Sequence, residues 1–209
     1  MNKPGSPPNL RPAIVPAIVI AAGGEGSRIG GSKPGRCLGG KPLITRMIDW
    51  AQTHSDCVAV AVRDADQLPG LDLPLLADRV AGIGPIGALE SAFHFAVNAK
   101  RPRVLMIGCD QPFLPDDLLD RLGSVIDGCG AAMPHCQGRD QPMACLWRVD
   151  GAALAAYIGS GGRALHRFSE QVGTRRAEWL AGPDGSPFAN INDLGALENA
   201  ERRLKIQER

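Results

Sequence analysis

The sequence is poor in aromatic residues, which form only 4% of its 209 residues, and it carries almost no excess charge. Its 23 basic residues are balanced by 22 acidic ones, and no basic stripe is interleaved with aromatic residues. Binding to nucleic acid through bulk electrostatics is therefore not expected. Apolar runs also fall well short of the about 20 residues that span a bilayer, so we expect no contact with membranes.

Paired cysteines and clustered histidines are missing as well. The cysteines are scattered without a C-x-x-C pair, which argues for reduced thiols rather than a disulfide framework or a zinc site. They are Cys37, Cys57, Cys109, Cys129, Cys136 and Cys145. The four histidines lack metal-ligand spacing, so we expect them to be structural or surface residues.

The N-terminal segment, residues 1–16, is rich in proline and polar residues and lacks the apolar core of a signal peptide. We expect a disordered leader over these residues and a cytoplasmic protein. Residues 17–209 are expected to form a single domain, because a chain of this length can bury a substantial core.

Short apolar runs alternate with segments of helical periodicity along the chain. The apolar runs predict strands at residues 17–22, 57–62, 73–76 and 104–108. Helical spacing of apolar residues predicts helices at 42–53, 86–98 and 115–126. In the C-terminal half we expect strands at 131–135, 143–149 and 175–180, with helices at 151–158, 163–172 and from Asp193 onward. This order predicts an α/β fold with an open, mostly parallel sheet, to which the C-terminal half adds antiparallel strands.

The most informative segment, residues 18–33, is an apolar run that ends in a glycine-rich loop, IVIAAGGEGSRIGGSK. Glycines let backbone N–H groups approach phosphate oxygens closely, and Arg28 and Lys33 add positive charge. The loop is not a P-loop, and Ile29 stands where a dinucleotide fingerprint needs its third glycine. The segment therefore predicts a polyphosphate cradle with the N–H groups of residues 22–26 as donors, and a simple chain turn is the alternative.

Asp110 follows the strand predicted at residues 104–108, within the segment GCDQPF. Ligands of open α/β sheets lie outside the carboxyl ends of the strands, so Asp110 is expected to face the same crevice as the glycine loop. Magnesium prefers one or two carboxylates together with phosphate oxygens. We therefore predict that Asp110 binds Mg²⁺, with capping of the following turn as its alternative role.

Two further segments offer polar groups to a ligand. Asp78 precedes a glycine–proline turn at residues 82–87, whose N–H groups could grip a base or ribose. A helix N-terminus without a ligand is the alternative there. Asn190 and Asn192 share one face of an extended segment and suit a hydrogen-bonding substrate such as a pterin, whereas capping of the last helix alone explains Asp193.

Six ordered motifs make the sequence resemble the molybdenum cofactor guanylyltransferases, within the nucleotidyltransferases that have a Rossmann-like domain. Residues 21–33 read AAGGEGSRIGGSK where that family has L-A-G-G-x-x-x-R-M-G-x-x-K. Residues 38–43 read LGGKPL where the family has L-x-G-K-P-L. The further matches are GPIG, GCDQPFLP, GRDQP and NIN, which start at residues 84, 108, 138 and 190.

The resemblance implies a Rossmann-like three-layer nucleotidyltransferase fold. It also implies transfer of GMP from GTP to the terminal phosphate of molybdopterin, or of its molybdenum-loaded form, with release of pyrophosphate. The implied catalytic residues are Arg28, Lys33 and Asp110, and the implied cofactor is Mg²⁺, held by Asp110. The implied nucleotide-binding residues are Ala21, Ala22, Gly23, Gly24, Lys33, Asp78, Gly84, Gly87 and Asp110, and the acceptor-binding residues are Arg139, Gln141, Asn190 and Asn192. We expect a monomer that makes transient contacts with cofactor-handling proteins or target molybdoenzymes.

Two positions bear on which nucleotide base the implied transfer uses. The cytidylyltransferase branch loads CMP onto the same pterin and tends to read L-A-A-G, whereas residues 21–24 read AAGG, which favours guanine. Against this, the family often has an asparagine near the nucleotide where Ala61 or Arg63 stands here. The sequence is also compatible with a sugar-phosphate or polyol-phosphate nucleotidyltransferase and with a catalytically silent nucleotide-binding module.

Overall fold

The computed structural model describes residues 15–23, 35–80 and 82–207, and within these ranges the chain forms ten strands, six α-helices and one short 3-10 helix at Ala65–Gln67. The strands are β1 (Ala17–Ala21), β2 (Cys37–Leu38), β3 (Lys41–Pro42), β4 (Val58–Val62), β5 (Leu75–Ala77), β6 (Arg103–Gly108), β7 (Ala131–Cys136), β8 (Arg139–Asp140), β9 (Ala144–Arg148) and β10 (Thr174–Trp179). The helices are α1 (Leu43–His54), α2 (Pro85–Asn98), α3 (Leu118–Val125), α4 (Gly151–Gly159), α5 (Leu165–Gln171) and α6 (Leu194–Gln207). Among the described helices, none combines the length and apolar character needed to cross a bilayer.

The main sheet runs in the order β10-β7-β9-β6-β1-β4-β5, with the short strand β8 paired to β7. Strand β1 is parallel to both of its neighbours, β4 and β6, and β5 is parallel to β4. Strand β9 is antiparallel to β6 and β7, whereas β10 is parallel to β7. The predicted parallel sheet is therefore confirmed, and the predicted antiparallel additions are β8 and β9.

Helices cover both faces of the sheet because its central strands are apolar on both sides. In β1, Ile18 and Ile20 share a hydrophobic cluster with residues of α1 and α3, while Val19 belongs to a second cluster, which includes residues of α2, α4 and α5. All three side chains are completely buried. Alternate side chains of a strand point to opposite faces, so burial on both sides requires the continuous apolar sequence of β1. The predicted three-layer arrangement is confirmed.

The C-terminal helix α6 packs against the small β2–β3 hairpin, which sequence analysis did not predict. The Gly39 N–H donates to Glu201 Oε1 at 2.8 Å, across the contact between hairpin and helix. Arg203 of α6 stacks over the Phe113 ring at 4.0 Å and donates to the Ser186 carbonyl at 2.7 Å. Helix α6 therefore ties together the hairpin, the loop after β6 and the segment that precedes α6.

Candidate functional site

A cavity of about 570 Å³ lies at the carboxyl ends of β1, β4, β5 and β6. It brings together six residues that sequence analysis assigned to ligand binding, which are Ala21, Gly23, Asp78, Gly84, Asp110 and Asn190. The other described residues on its wall are Ala61, Arg63, Gly82, Pro85, Ala88, Cys109 and Met143. Parallel pairing brings the strand ends to one edge of the sheet, which is where ligands of such folds bind.

The end of β1 is held by the side chain of Gln67. Gln67 Nε2 donates to the Ala22 carbonyl at 2.7 Å, and Gln67 Oε1 accepts from the Arg63 N–H at 3.2 Å. The Ala22 N–H donates to the Ala61 carbonyl at 2.8 Å, and the Ala22 side chain is completely buried. In this structure the Ala22 N–H belongs to the extended ladder between β1 and β4, and the predicted role of Ala22 in nucleotide binding stays a prediction.

Gly23 lies on the cavity wall, where the segment after β1 passes close to the end of β4. A Cβ atom at this position would lie 3.3 Å from the backbone nitrogen of Arg63. That separation is tighter than most side-chain contacts, so glycine lets β1 lead into its loop beside the end of β4. Gly24, Arg28 and Lys33 lie outside the described residues, so their predicted roles stay predictions.

The Asp110 carboxylate lies directly against Gly108, the last residue of β6. A Cβ atom on Gly108 would lie 2.5 Å from Asp110 Oδ1 and 3.2 Å from Gln111 Oε1. Gln111 is almost completely buried, and its Oε1 accepts from the Gly108 N–H at 3.0 Å. Gly108 thus leaves room for the Asp110 carboxylate to fold back over the strand end, with Gln111 fixing the turn beneath it. Sequence analysis assigned no role to Gln111, and its position between Asp110 and a proline was the available signal.

Asp78 follows β5 and contributes a carboxylate to the opposite part of the cavity wall. Its N–H donates to the Val62 carbonyl at 3.1 Å, which fixes its backbone against β4. Partial burial raises the pKa of Asp78 above its usual value, and the positive charge of Arg63 lowers it in part. Arg63 and Asp78 therefore place opposite charges on one cavity.

The turn before α2 needs glycine at Gly84 for a conformational reason. Gly84 has φ 70° and ψ −151°, a backbone region that is essentially restricted to glycine. Gly84 reaches the cavity wall, whereas Gly87 is buried behind it and donates its N–H to the Gly84 carbonyl at 2.9 Å. A Cβ atom on Gly87 would lie only 3.0 Å from Ile83 Cγ1, so the absence of a side chain at Gly87 lets Ile83 pack closely within the turn.

A second cavity, of about 420 Å³, adjoins the first and shares Met143 and Asn190 with it. Arg139 and Gln141, two of the predicted acceptor-binding residues, line this second cavity. The other described residues on its wall are Gln111, Cys136, Gln137, Asp140, Pro142, Ser186, Phe188 and Ala189. The structure thus groups two predicted acceptor residues away from the predicted nucleotide residues, with Asn190 between the two groups.

Asn192 lies on neither of these two cavity walls, and its side chain is exposed. Between the two asparagines, Ile191 is buried and its N–H donates to the Asp110 carbonyl at 2.9 Å. This hydrogen bond fixes the segment of Asn190 directly against the loop of Asp110. The two predicted site segments are therefore neighbours, although 80 residues separate them in the sequence.

A mostly parallel sheet covered by helices on both faces, with a cavity at the carboxyl ends of its strands that is lined in part by charged side chains, is the arrangement of Rossmann-like nucleotide-binding proteins. A family model described as the MobA-like NTP transferase domain matches residues 18–175. The chain belongs to this family and is a nucleotidyltransferase, as the sequence motifs predicted.

Individual relatives agree with this assignment. The molybdenum cofactor guanylyltransferase of Rhodobacter capsulatus is 34% identical over 194 residues, covering 90% of this chain and 96% of the relative. The protein of the same name from Cereibacter sphaeroides is 33% identical over 190 residues, covering 90% and 96%. The crystal structure of molybdopterin-guanine dinucleotide biosynthesis protein A from Archaeoglobus fulgidus superposes with a TM-score of 0.75 at 21% identity, covering 91% of this chain and 99% of that one. This similarity confirms the predicted nucleotidyltransferase fold.

Proposed function

We propose that the protein transfers GMP from GTP to the terminal phosphate of molybdopterin, either metal-free or loaded with molybdenum. In this reaction, an oxygen of the acceptor phosphate forms a bond to the α-phosphorus of GTP while the bond to pyrophosphate breaks. The guanine dinucleotide form of the cofactor and pyrophosphate are the products. The names of the relatives support guanine over cytosine and over sugar-phosphate or polyol-phosphate acceptors.

The observation that carries this proposal is the pair of adjoining cavities that share Met143 and Asn190. A nucleotidyl transfer needs two anionic substrates to be held with the attacking oxygen close to the α-phosphorus. The cavity of Asp78, Gly84 and Asp110 would hold GTP, and the cavity of Arg139 and Gln141 would hold the acceptor. The shared wall would then be the place where the two reacting phosphates meet.

No protein nucleophile is needed in this scheme, because the acceptor phosphate itself attacks. The contribution of the chain is to position both substrates and to stabilise charge on the departing pyrophosphate. Arg28 and Lys33 would supply that positive charge, together with N–H groups of the glycine loop after Ala22. Asn190 would hold the acceptor at the shared wall, and the role of Asn192 in acceptor binding stays a prediction.

Magnesium fits the donor set at Asp110. Within the described residues no group of three or more histidine, cysteine or acidic side chains is arranged to hold a metal ion. A single carboxylate beside a phosphate-binding cavity matches the way Mg²⁺ is usually bound, with substrate phosphates and water as the other ligands. When bound, Mg²⁺ would neutralise phosphate charge and polarise the reacting phosphoryl group. Asp110 would hold it, and Gly108 and Gln111 would keep that carboxylate in place.

The nucleotide is tested by measuring pyrophosphate release with molybdopterin and Mg²⁺, using GTP, CTP, ATP and UTP in parallel. We expect release with GTP alone. Release with CTP alone would retain the chemistry and overturn the base assignment. No release with any of the four nucleotides would overturn the proposed acceptor.

The role of Asp110 is tested by Asp110→Ala in the same assay. Loss of a positioned electrostatic group typically costs about 10²–10³-fold in rate, and we expect a loss of that size here. Asp116→Ala is the matched control, because Asp116 is an exposed carboxylate in the same connection and lies on neither cavity wall. Near-full turnover of Asp110→Ala at unchanged Mg²⁺ concentration would contradict the assignment.

The cytoplasmic location, the monomeric state, the single domain over residues 17–209 and the transient partners stay predictions. Of the predicted leader, residues 1–14 lie outside the described residues.

A further inference from the structure

A network of charged and polar side chains surrounds Asp140, next to the second cavity. Arg176 grips the Asp140 carboxylate with two hydrogen bonds, from Nε to Oδ1 and from Nη2 to Oδ2, each of 2.7 Å. His135 Nδ1 lies 2.6 Å from Oδ1, and His166 Nε2 lies 3.1 Å from Oδ2. The Asp140 side chain is only 12% exposed, so four hydrogen bonds offset its removal from water.

The charge state of this carboxylate follows from its partners. The hydrogen bonds of Arg176, followed by those of His135 and His166, hold the pKa of Asp140 far below its usual value despite burial. Asp140 is therefore ionised and can only accept hydrogen bonds. Each histidine must then donate, which assigns a proton to Nδ1 of His135 and to Nε2 of His166.

These partners come from three different elements, because His135 is in β7, His166 is in α5 and Arg176 is in β10. Strand β8, which carries Asp140, has only two residues and pairs with β7 alone. So short a pairing provides little backbone bonding, and the side chain of Asp140 provides the wider attachment. The hairpin that contains β8 is thereby fixed to the body of the domain through one carboxylate.

The same hairpin forms part of the wall of the second cavity, to which Asp140 itself also contributes. Asp140 pairs with His135, and Arg139 pairs with Cys136, so the two pairs project to opposite faces of the hairpin. Cys136 and Arg139 line the second cavity, as does Ser186, whose Oγ lies 3.6 Å from Cys136 Sγ. The Asp140 network therefore fixes the two-residue strand that presents Arg139 to this cavity.

We propose that Asp140 is a positioning residue. It holds Arg139 and Gln141 in place on the wall of the second cavity, where they would bind the acceptor. This inference rests on the proposed function, in which that cavity binds the acceptor. Gln141 is attached to the same hairpin through its N–H, which donates to the Pro134 carbonyl at 2.9 Å. Release of Asp140 from Arg176 would let the segment of Arg139 and Gln141 move relative to Asn190.

The test is Asp140→Asn, measured by separate titrations of GTP and molybdopterin. An asparagine retains the shape but loses the charge and one acceptor oxygen, so it cannot satisfy Arg176 and both histidines. We expect the KM for molybdopterin to rise about tenfold or more, the KM for GTP to change less than twofold, and the protein to stay folded. Equal changes in both KM values, or an unchanged KM for molybdopterin in a folded variant, would overturn the proposal.

Asp56→Asn is the matched control. Asp56 also accepts two hydrogen bonds from one arginine, Arg101, at 2.7 and 2.9 Å, but it precedes β4 at the other end of the sheet. We expect both KM values to be unchanged in this variant. If Asp140→Asn does not fold, Arg176→Lys replaces it as the test, because lysine keeps the charge and loses the two-pronged geometry. The same rise in the KM for molybdopterin alone is then expected.

Arg139→Ala and Gln141→Ala separate this inference from the proposed function. If these variants leave the KM for molybdopterin unchanged, the acceptor does not use this wall, and both proposals fail. If they raise that KM and Asp140→Asn does not, the acceptor site stands and the positioning role of Asp140 fails.

Discussion

Replacing Gly108 by alanine would test how strongly the reaction rate depends on the position of the Asp110 carboxylate. The new Cβ atom would lie 2.5 Å from Asp110 Oδ1, whereas carbon and oxygen atoms in contact prefer about 3.5 Å. The carboxylate must therefore move by about 1 Å, and the buried Gln111 Oε1, which would lie 3.2 Å from the new atom, must give way slightly. A misplacement of about 1 Å in a catalytic arrangement costs about 10²-fold in rate, or about 2.7 kcal/mol in activation free energy.

The assay is the initial rate of pyrophosphate release from GTP in the presence of molybdopterin, with Mg²⁺ varied, alongside thermal unfolding. We expect Gly108→Ala to lose about 10²-fold in rate, to need more Mg²⁺ and to stay folded at the assay temperature. Gly123→Ala is the matched control, since a Cβ atom at this position in α3 meets nothing within 4 Å. That variant should keep full activity and gain slightly in stability, because alanine favours helix. Full turnover of Gly108→Ala at the wild-type Mg²⁺ requirement would refute the reasoning.

Two other substitutions test separate parts of the structure. Asp78→Asn should raise stability at neutral pH, because burial raises the pKa of Asp78 and its ionisation therefore opposes folding. The gain in the free energy of unfolding over wild type should appear as pH rises from about 4 through the raised pKa and should then level off. The KM for GTP should increase. A stability gain that is equal at all pH values would contradict ionisation of Asp78 as its cause. Gly162→Ala should destabilise the fold by about 1–3 kcal/mol without changing either KM, because its Cβ atom would overlap the ring of Tyr157, whose hydroxyl donates to a backbone carbonyl. Gly159→Ala, where a Cβ atom meets nothing within 4 Å, is the control in chemical denaturation, and equal stability of the two variants would contradict the predicted overlap.

The comparison of sequence with structure is most instructive at the carboxyl ends of the central strands. The strands themselves were predicted because they are short, continuously apolar and followed by glycine or polar residues. The role of Gln67 was not predictable, because nothing in its local sequence shows that its side chain will bridge the ends of β1 and β4. The β2–β3 hairpin was missed for a related reason, since strands of two residues have no measurable periodicity.

The Asp140 network shows the same limit for charged residues. Its histidines were expected to be structural or surface residues, and the structure finds them packed around one carboxylate. Nothing in the spacing of His135, His166 and Arg176 indicated a common partner, because the three lie on separate elements. Only the register of β7 with β8 and the placement of α5 and β10 bring them together.

Periodicity and ordered motifs were enough to give the order of strands and helices, the parallel sheet and the nucleotidyltransferase family, because these follow from local apolar patterns and from glycines in a fixed context. The tertiary structure decided which motif residues share a wall and which stand behind it. Asp78, Asp110 and Asn190 meet at one cavity, whereas Ala22 and Gly87 are buried in support. Such distinctions depend on strand register and on contacts between residues far apart in the chain, which no local pattern encodes.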